Sequence, residues 1–166
     1  MSNFLRRITG RGGGDEPFPG LPTIPVPPIG WVRNGVKNPD RNDWSGVRSR
    51  LVLRESLAPA LAGLEGFSHV IVVCWLDGVE EDERRLLTVH PAGDPALPER
   101  GVLALRTHHR PNPIGLSVVT LESIEGTVLH VRGLDAADRT PVLDVKPYVP
   151  HYDSFPDATL PDWARG

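Results

Sequence analysis

The sequence lacks the features that mark secreted proteins, membrane proteins and general nucleic-acid coat proteins. Its single cysteine, Cys74, excludes an internal disulfide and suits a reducing compartment. No run approaches the ~18 consecutive apolar residues of a membrane span, and the chain does not start with the apolar stretch of a secretory signal. The net charge of -3 gives no global basic footprint, so a nucleic acid would have to bind a local patch. We therefore expect a cytoplasmic protein with no membrane partner.

Several enzyme signatures are also missing. There is no Gly-x-Gly-x-x-Gly after a strand, no phosphate-binding Gly-x-x-x-x-Gly-Lys-Ser/Thr and no Gly-x-Ser-x-Gly, which argues against an ordinary Rossmann enzyme. His108 and His109 are adjacent, and adjacent side chains on an extended backbone point to opposite faces. No Cys or His pair elsewhere has the spacing of a closed metal site. The sequence therefore predicts no metal.

Length and composition indicate one domain with two irregular ends. The 166 residues, of which 39% are hydrophobic, suffice for a single core. Residues 1–28 are rich in Gly and Pro and predict a flexible arm, because such a composition buries too little apolar surface to order itself. The folded domain is expected over residues 29–150. Residues 151–166 form a tail that wraps the surface or reaches a partner subunit.

The folded part predicts a mainly β protein. Short alternating or β-branched runs recur with turn residues between them, and Glu125-Gly126 separates two of them as a tight hairpin turn. This spacing favours a compact, closed or nearly closed antiparallel β-barrel with one short helix and long Pro-rich loops. Ser56 is expected to cap that helix over residues 57–64, and residues 82–85 indicate a further turn. The predicted strands are 29–33, 47–54, 70–76, 86–89, 101–105, 117–124, 128–133 and 142–146.

Residues 106–117 interrupt the strand pattern and form the first candidate site. Pro111 and Pro113 fix their own φ and remove two ladder donors, so this segment is expected to be a rigid loop. Rigid loops on β scaffolds often carry function, and this one holds two Arg, two His and an Asn. Gly115 permits a close approach to the backbone. The loop alone leaves a second interpretation open, a proline-stiffened barrel corner with solvated cations.

Residues 133–150 form the second candidate site. Three carboxylates, a Lys and a Tyr surround a strand whose apolar residues require burial. Asp144 and Lys146 share one face of that strand, so they either form a structural salt bridge or line a pocket. Cys74 lies in an apolar run and is expected to be a small core residue rather than a reactive thiol.

Three motifs together resemble the TsaA-like family, also called the TrmO family. Arg-Pro-Asn-Pro-Ile-Gly-Leu-Ser at 110–117, Thr-Pro-Val-Leu-Asp-Val-Lys-Pro-Tyr-Val-Pro at 140–150 and Gly-Leu-Glu-Gly-Phe-Ser-His at 63–69 occur in the family's order. The resemblance covers roughly residues 29–150. It implies a β-barrel that forms a homodimer, binds S-adenosylmethionine and methylates N6 of N6-threonylcarbamoyladenosine at position 37 of tRNA, beside the anticodon.

The resemblance also implies site residues. A general base is needed to accept the N6 proton, and the candidates Asp77, Asp135 and Asp144 stay open. Arg106 and Arg110 suit a carboxylate of the cofactor or of the threonyl group. The expected cofactor contacts are Leu76, Asp77, Arg106, Leu116, Leu134, Asp135, Ala136 and Ala137. The expected tRNA contacts, cations for phosphates and aromatic planes for stacking, are Arg41, Trp44, His108, His109, Arg110, Asn112, Lys146 and Tyr148.

The chain departs from the family pattern at two points that bear on function. Arg41 is only an approximate match to a Pro-Arg-Gln segment of many bacterial members, and Arg139 stands where many members have Gly. The Arg suggests that φ is negative at position 139. Two alternatives to the tRNA enzyme remain: a methyltransferase acting on another RNA or a small molecule, and a non-enzymatic S-adenosylmethionine-binding barrel that docks a partner through its Pro-rich arm.

Overall fold

The computed structural model describes residues 24–37 and 43–165, and in these residues six antiparallel strands close into a barrel. The order around the barrel is β1-β2-β7-β6-β3-β8. The predicted barrel is therefore confirmed. Its strands, with the two short strands of a separate sheet, are β1 (Gly30–Arg33), β2 (Arg48–Leu53), β3 (His69–Trp75), β4 (Thr88–Val89), β5 (Arg100–Gly101), β6 (Ile114–Glu125), β7 (Val128–Arg132) and β8 (Pro141–Pro147).

Strand alternation builds the core. Val70, Val72 and Cys74 on β3 point into the barrel while their neighbours are more exposed, which is the period of two that a pleated strand imposes. Cys74 is 2% exposed, and burial, with a smaller contribution from Asp135, raises the pKa of its thiol to about 12. The prediction of a core cysteine is confirmed, since a thiol of such pKa stays protonated.

Two predicted barrel strands are wrong. The runs at 86–89 and 101–105 give only β4 and β5, which pair with each other outside the barrel. Val102 to Ala104 form a 3-10 turn in which Val102 is buried and Leu103 is 76% exposed. β6, by contrast, begins inside the segment predicted as a loop. Gly115 and Ser117 pair with Cys74 and Val72 of β3, so only residues 106–113 are irregular.

The helix prediction also needs correction. The Ser56-capped helix expected at 57–64 is a 3-10 helix over Glu55–Leu61 that begins after Arg54 and has no side-chain cap. Among the described residues there is one α-helix, α1 (Pro150–Asp153), which lies where the predicted tail begins. The turn expected at 82–85 is confirmed, because the Asp82 carboxylate accepts a hydrogen bond from the backbone N–H of Glu83 at 3.0 Å. No helix within residues 24–37 and 43–165 is long or apolar enough to cross a membrane.

The turn before β8 is held in a left-handed conformation. Arg139 has φ of 72°, so the expectation of a negative φ is wrong. Its backbone N–H donates to the Val32 carbonyl at 2.8 Å, and the Thr140 N–H donates to the Ala137 carbonyl at 3.3 Å. These bonds require the turn whatever residue occupies position 139, which explains why Gly serves there in many family members.

A polar network ties this turn to the first strands. One oxygen of the Asp138 carboxylate accepts the backbone N–H groups of Asn34 and Gly35 at 2.9 and 3.1 Å. The Asn34 amide donates to the Ser49 hydroxyl at 3.0 Å and to the Ala136 carbonyl at 2.9 Å. The hydrogen bonds from the backbone N–H groups of Asn34 and Gly35, reinforced by the charges of Arg33 and Arg139, hold the pKa of Asp138 below its usual value. The network fixes residues 134–138 against β1 and β2.

The strained turn generates a stability prediction. Arg139→Gly should stabilise the protein by up to about 1 kcal/mol. A non-Gly residue in the left-handed conformation costs roughly 1–2 kcal/mol, and Gly avoids this cost but loses about 0.5–1 kcal/mol more conformational entropy on folding. Arg139→Ala is the matched control, since it removes the same 80% exposed side chain but keeps the Cβ. Urea unfolding measures both. Equal free energies of unfolding for the two variants would contradict the strain.

Candidate functional site

A cavity of about 880 Å³ opens at the end of the barrel where β3 ends and β8 begins. Sites for small ligands and cofactors commonly have volumes of about 300–1,000 Å³. Most of the wall comes from four parts of the chain: the end of β3 with the turn after it, the 3-10 turn and loop before β6, the start of β6, and the segment before β8. Lys37, Trp44 and Glu83 complete it. The lining residues include Cys74, Leu76, Asp77, Val79, Leu105, Arg106, Ser117, Leu134, Asp135, Ala136 and Ala137.

The two candidate sites of the sequence meet in this cavity. The Ser117 hydroxyl donates a hydrogen bond to the Asp135 carboxylate, which joins the start of β6 to the segment before β8. Across the entrance, the Arg106 guanidinium donates to the Leu116 carbonyl at 2.5 Å. Residues 106–117 therefore face the segment that begins at residue 133.

Local packing explains how the carboxylates come to face the cavity. Leu134 and Ala136 are 1% and 4% exposed and pack on the core, so Asp135 between them turns outward. Gly115 allows a close contact within the protein. A Cβ there would lie 3.1 Å from the Leu76 side chain, so the group that approaches this backbone closely is Leu76.

All eight expected cofactor contacts line the cavity, but the expected tRNA contacts are divided. Trp44, His108 and Arg110 line it. His109 lies beside His108, and Asn112, Lys146 and Tyr148 are not in the wall. Arg41 lies outside the described residues. Of the candidate bases, the wall includes Asp77 and Asp135 but not Asp144.

Three of the expected site residues lie on the barrel outside the cavity wall: Asp144, Lys146 and Tyr148. The Lys146 ammonium lies 2.6 Å from the Asp144 carboxylate, and this hydrogen-bonded pairing raises the pKa of Lys146. Tyr148 packs edge-on against His69 with ring centroids 6.3 Å apart, at the start of β3 and so at its far end from the cavity. Within one chain, the pair of Asp144 and Lys146 is therefore a salt bridge and not part of the cavity wall.

Arg110 has a structural task that the sequence did not show. One guanidinium nitrogen, Nη1, donates to the carbonyls of Val102 and Leu105 at 3.1 and 2.7 Å. It thereby holds the 3-10 turn against the proline loop. Because a guanidinium carries five N–H donors, one Arg can satisfy several carbonyls at the end of such a turn.

The prediction that His108 and His109 point to opposite faces is wrong. Their ring centroids are 4.0 Å apart because the backbone bends at His108, where the His109 N–H donates to the Thr107 hydroxyl at 3.3 Å. His109 Nε2 lies 3.3 Å from Glu83 Oε1. A hydrogen bond from the Glu80 backbone, with help from the two histidines, holds the pKa of Glu83 below its usual value. No sequence signal distinguished Glu83 from its acidic neighbours.

A second feature that sequence reasoning missed is a row of arginines outside the barrel. We call Arg33, Arg48, Arg50 and Arg132 the arginine surface. Arg33 pairs in register with Arg50, and Arg48 with Arg132. The signal was present, since Arg48 and Arg50 alternate with Ser49 and Leu51 along β2, as the two faces of a strand require.

The arginine surface is energetically unfavourable by itself, because like charges directly opposite each other across strands repel. Glu122 accepts from the Nε atoms of Arg48 and Arg132, at 3.1 and 3.2 Å. Arg50 is exposed and makes no ion pair within the described part of the chain. A groove of about 440 Å³ runs over this surface, and Asp138 lines both the groove and the cavity.

Comparisons with known proteins agree on one family. The family model described as tRNA-methyltransferase O N-terminal domain matches residues 37–154. A Methanothermobacter thermautotrophicus protein named probable S-adenosyl-L-methionine-binding protein is 40% identical over 80% of this chain and 95% of its own. The Escherichia coli tRNA (adenine(37)-N6)-methyltransferase is 38% identical over 66% of this chain and 48% of its own.

Solved structures give the same result. The crystal structure of TrmO from P. aeruginosa superposes with a TM-score of 0.71 at 33% identity, covering 88% of this chain and 64% of that one. The chain spans only 36% of an Archaeoglobus fulgidus relative that carries the same name as the Methanothermobacter protein. The chain belongs to the tRNA-methyltransferase O N-terminal domain family.

Proposed function

We propose that this protein is an S-adenosylmethionine-dependent methyltransferase that modifies N6 of N6-threonylcarbamoyladenosine at position 37 of tRNA. The observation that carries the proposal is the cavity, because the eight residues expected to contact the cofactor all line it. The cavity also offers the mixture of groups that this cofactor requires. Two guanidinium groups, four carboxylates and several apolar side chains surround one volume.

The lining suggests how the cofactor is held. The Arg106 guanidinium, which already donates to the Leu116 carbonyl, suits the methionine carboxylate, because guanidinium binds carboxylate through paired donors. Asp77 and Asp135 suit the ammonium and sulfonium charges. Leu76 and Leu134 give apolar surface for the adenine ring. When bound, the cofactor supplies an electrophilic methyl group.

The protein's part in the reaction is positioning and removal of one proton. The acceptor nitrogen must be held in line with the methyl carbon, and holding reactants in that geometry accounts for much of catalysis. As N6 gains the methyl group it loses its proton, which a carboxylate can accept. Asp77 and Asp135 both line the cavity, so within one chain either can take this role while the other faces the positive charge of the cofactor. Asp144 lies outside the wall and could act only at the cavity of a partner subunit.

The arginine surface supplies the phosphate contacts that the substrate needs. Phosphate binding by arginines is electrostatic and independent of sequence, and it positions a nucleic acid without reading it. The groove over this surface shares Asp138 with the cavity, so a strand bound in the groove leads to the cavity mouth. Trp44, which lines the cavity, is placed to stack on a splayed base.

A homodimer completes this proposal. We call Ile71, Val73 and Trp75 of β3 with their register partners Val118, Leu116 and Ile114 of β6 the apolar face. The three β6 residues are 46–48% exposed on the outside of the barrel, which is unusual for paired apolar side chains in a sheet. Ile114 and Leu116 also line the cavity, so a second copy packed on this face would help to enclose it.

The first prediction tests cofactor binding and turnover together. Arg106→Ala should weaken S-adenosylmethionine binding at least tenfold, since a charged hydrogen bond contributes about 1.5–3 kcal/mol and tenfold corresponds to about 1.4 kcal/mol. Calorimetry measures the affinity, and mass spectrometry of nucleosides from incubated tRNA measures methyl gain on threonylcarbamoyladenosine. Arg165→Ala, which removes an exposed arginine of the tail, is the control.

The outcomes of this experiment separate the alternatives. Binding without methyl gain on any RNA would favour the non-enzymatic binding module, which the name of the Methanothermobacter relative also suggests. Methyl gain on a different nucleoside or a small molecule would keep the enzyme and change the acceptor. Absence of cofactor binding to the wild type would overturn the proposal.

The second prediction concerns the arginine surface. Arg50→Ala should raise the KM for tRNA several-fold and lower the slope of log affinity against log salt by about 1, because it removes about one phosphate contact. The affinity for S-adenosylmethionine should not change. Circular dichroism checks that the fold is intact. If tRNA affinity and its salt dependence match those of Arg165→Ala, the arginine surface does not bind tRNA.

The third prediction concerns the homodimer. Val118→Asp should convert a dimer to a monomer, because it buries a charge in the apolar face without touching the cavity wall. Leu87→Asp is the matched control, since Leu87 is 73% exposed elsewhere on the surface. Light scattering after gel filtration gives the mass of each. A wild-type protein that is monomeric at micromolar concentration would refute the dimer.

A further inference from the structure

Glu83, His108 and His109 form a cluster of metal-ligating side chains at the rim of the cavity. One ligand atom from each lies within 4.8 Å of the others. His109 Nε2 and Glu83 Oε1 are 3.3 Å apart. Two ligands of a tetrahedral zinc ion, at bond lengths of about 2.0–2.2 Å, lie about 3.4 Å apart. The closest pair therefore already has the spacing of two zinc ligands.

The surroundings orient two of these side chains. The Glu80 backbone N–H donates to Glu83 Oε2 at 2.8 Å, which leaves the other carboxylate oxygen directed at His109. The Thr107 hydroxyl lies 3.5 Å from His109 Nδ1, on the ring side away from the cluster. Contacts of this kind to the second ring nitrogen fix the orientation of metal-binding histidines. His109 and Glu83 are 24% and 37% exposed and His108 is exposed, so two of the three side chains are partly sheltered from solvent and the third faces it.

The ligand chemistry selects a class of metal ion. Two imidazoles with one carboxylate suit zinc and its neighbours among the divalent transition metals, whereas calcium and magnesium prefer oxygen donors. Three protein ligands are also the number found in zinc sites that keep one position open. Because Glu83 and His108 line the cavity, an ion held by the cluster would border the cavity.

We propose that Glu83, His108 and His109 bind one zinc ion at the rim of the cavity. The sequence predicted no metal because adjacent histidines on an extended backbone point apart, whereas the ring centroids of His108 and His109 are 4.0 Å apart. This zinc proposal does not depend on the proposed function. Two other described histidines each lie near one carboxylate and no second histidine: His90 is 3.8 Å from Glu99, and His130 is 3.6 Å from Glu125. The structure therefore contains its own control sites.

The test uses the full chain without a histidine tag. After treatment with a chelator and desalting, calorimetry with zinc chloride should give one ion per chain with micromolar or tighter affinity. Glu83→Gln and His109→Ala should each weaken binding more than the roughly 10–100-fold that loss of an outer-shell partner causes. His90→Ala, the matched control, should bind zinc as the wild type does. Zinc should raise the Tm of the wild type, because a ligand that binds only the folded state stabilises it.

Three results would overturn the proposal. The first is a wild type that binds no zinc. The second is zinc binding that neither Glu83→Gln nor His109→Ala weakens, and the third is binding that His90→Ala weakens as much as they do. His109→Gln serves as a second variant if His109→Ala does not fold. Cofactor affinity and methyl gain are measured on the same samples. Failure of the zinc site is therefore distinguishable from failure of the proposed methyltransferase.

Discussion

The hydrogen bonds around Asp138 and Asn34 determine whether this barrel has a site at all. A closed six-stranded barrel fills its own interior, so a cavity can form only where a loop is held away from the strand ends. The Asp138 carboxylate and the Asn34 amide hold residues 134–138 in that position through backbone groups just after β1 and a buried hydroxyl, Ser49, on β2. Ser49 is 2% exposed, and such a group must be paired when the chain folds. The same bonds keep the pKa of Asp138 low, so it remains an acceptor at neutral pH.

The alternation of side chains along the strands then separates the core from the outer surface of the barrel. On β3 and β6 the inward side chains fill the core, while the outward ones form the apolar face. Near Trp75 the two sets diverge, because β3 ends there and β8 shifts its register between Val73 and Cys74. A bulge of this kind re-aims side chains at the rim of a barrel. Cys74 consequently belongs to the core and also lines the cavity.

How far the sequence predicts this structure depends on whether a local rule was decisive. The hairpin at Gly126 was predictable because a two-residue turn requires a positive φ, and Gly126 has φ of 61°. Arg139 was not, because its conformation is imposed by the hydrogen bond from its N–H to the distant Val32 carbonyl, and by the bonds that hold the neighbouring Asp138 to Asn34 and Gly35, rather than by its own preference. His108 and His109 were misread because an extended backbone was assumed where Thr107 bends the chain. The cofactor contacts came from the family resemblance and its motifs, and these the cavity brings together.

The proposed activity requires that a charged, flexible polymer deliver one base to a small cavity, and the position of Asp138 bears on how this occurs. Phosphates bound along the arginine surface would orient the strand but cannot select a base. Selection has to occur in the cavity, whose wall is fixed by the same carboxylate that borders the groove. The Asp138 carboxylate is already committed to two backbone N–H groups and lies 3.8 Å from guanidinium nitrogens of Arg33 and Arg139. In the proposed activity the phosphate backbone would therefore contact the arginine surface rather than this carboxylate. The cavity then remains available to the base and to the cofactor.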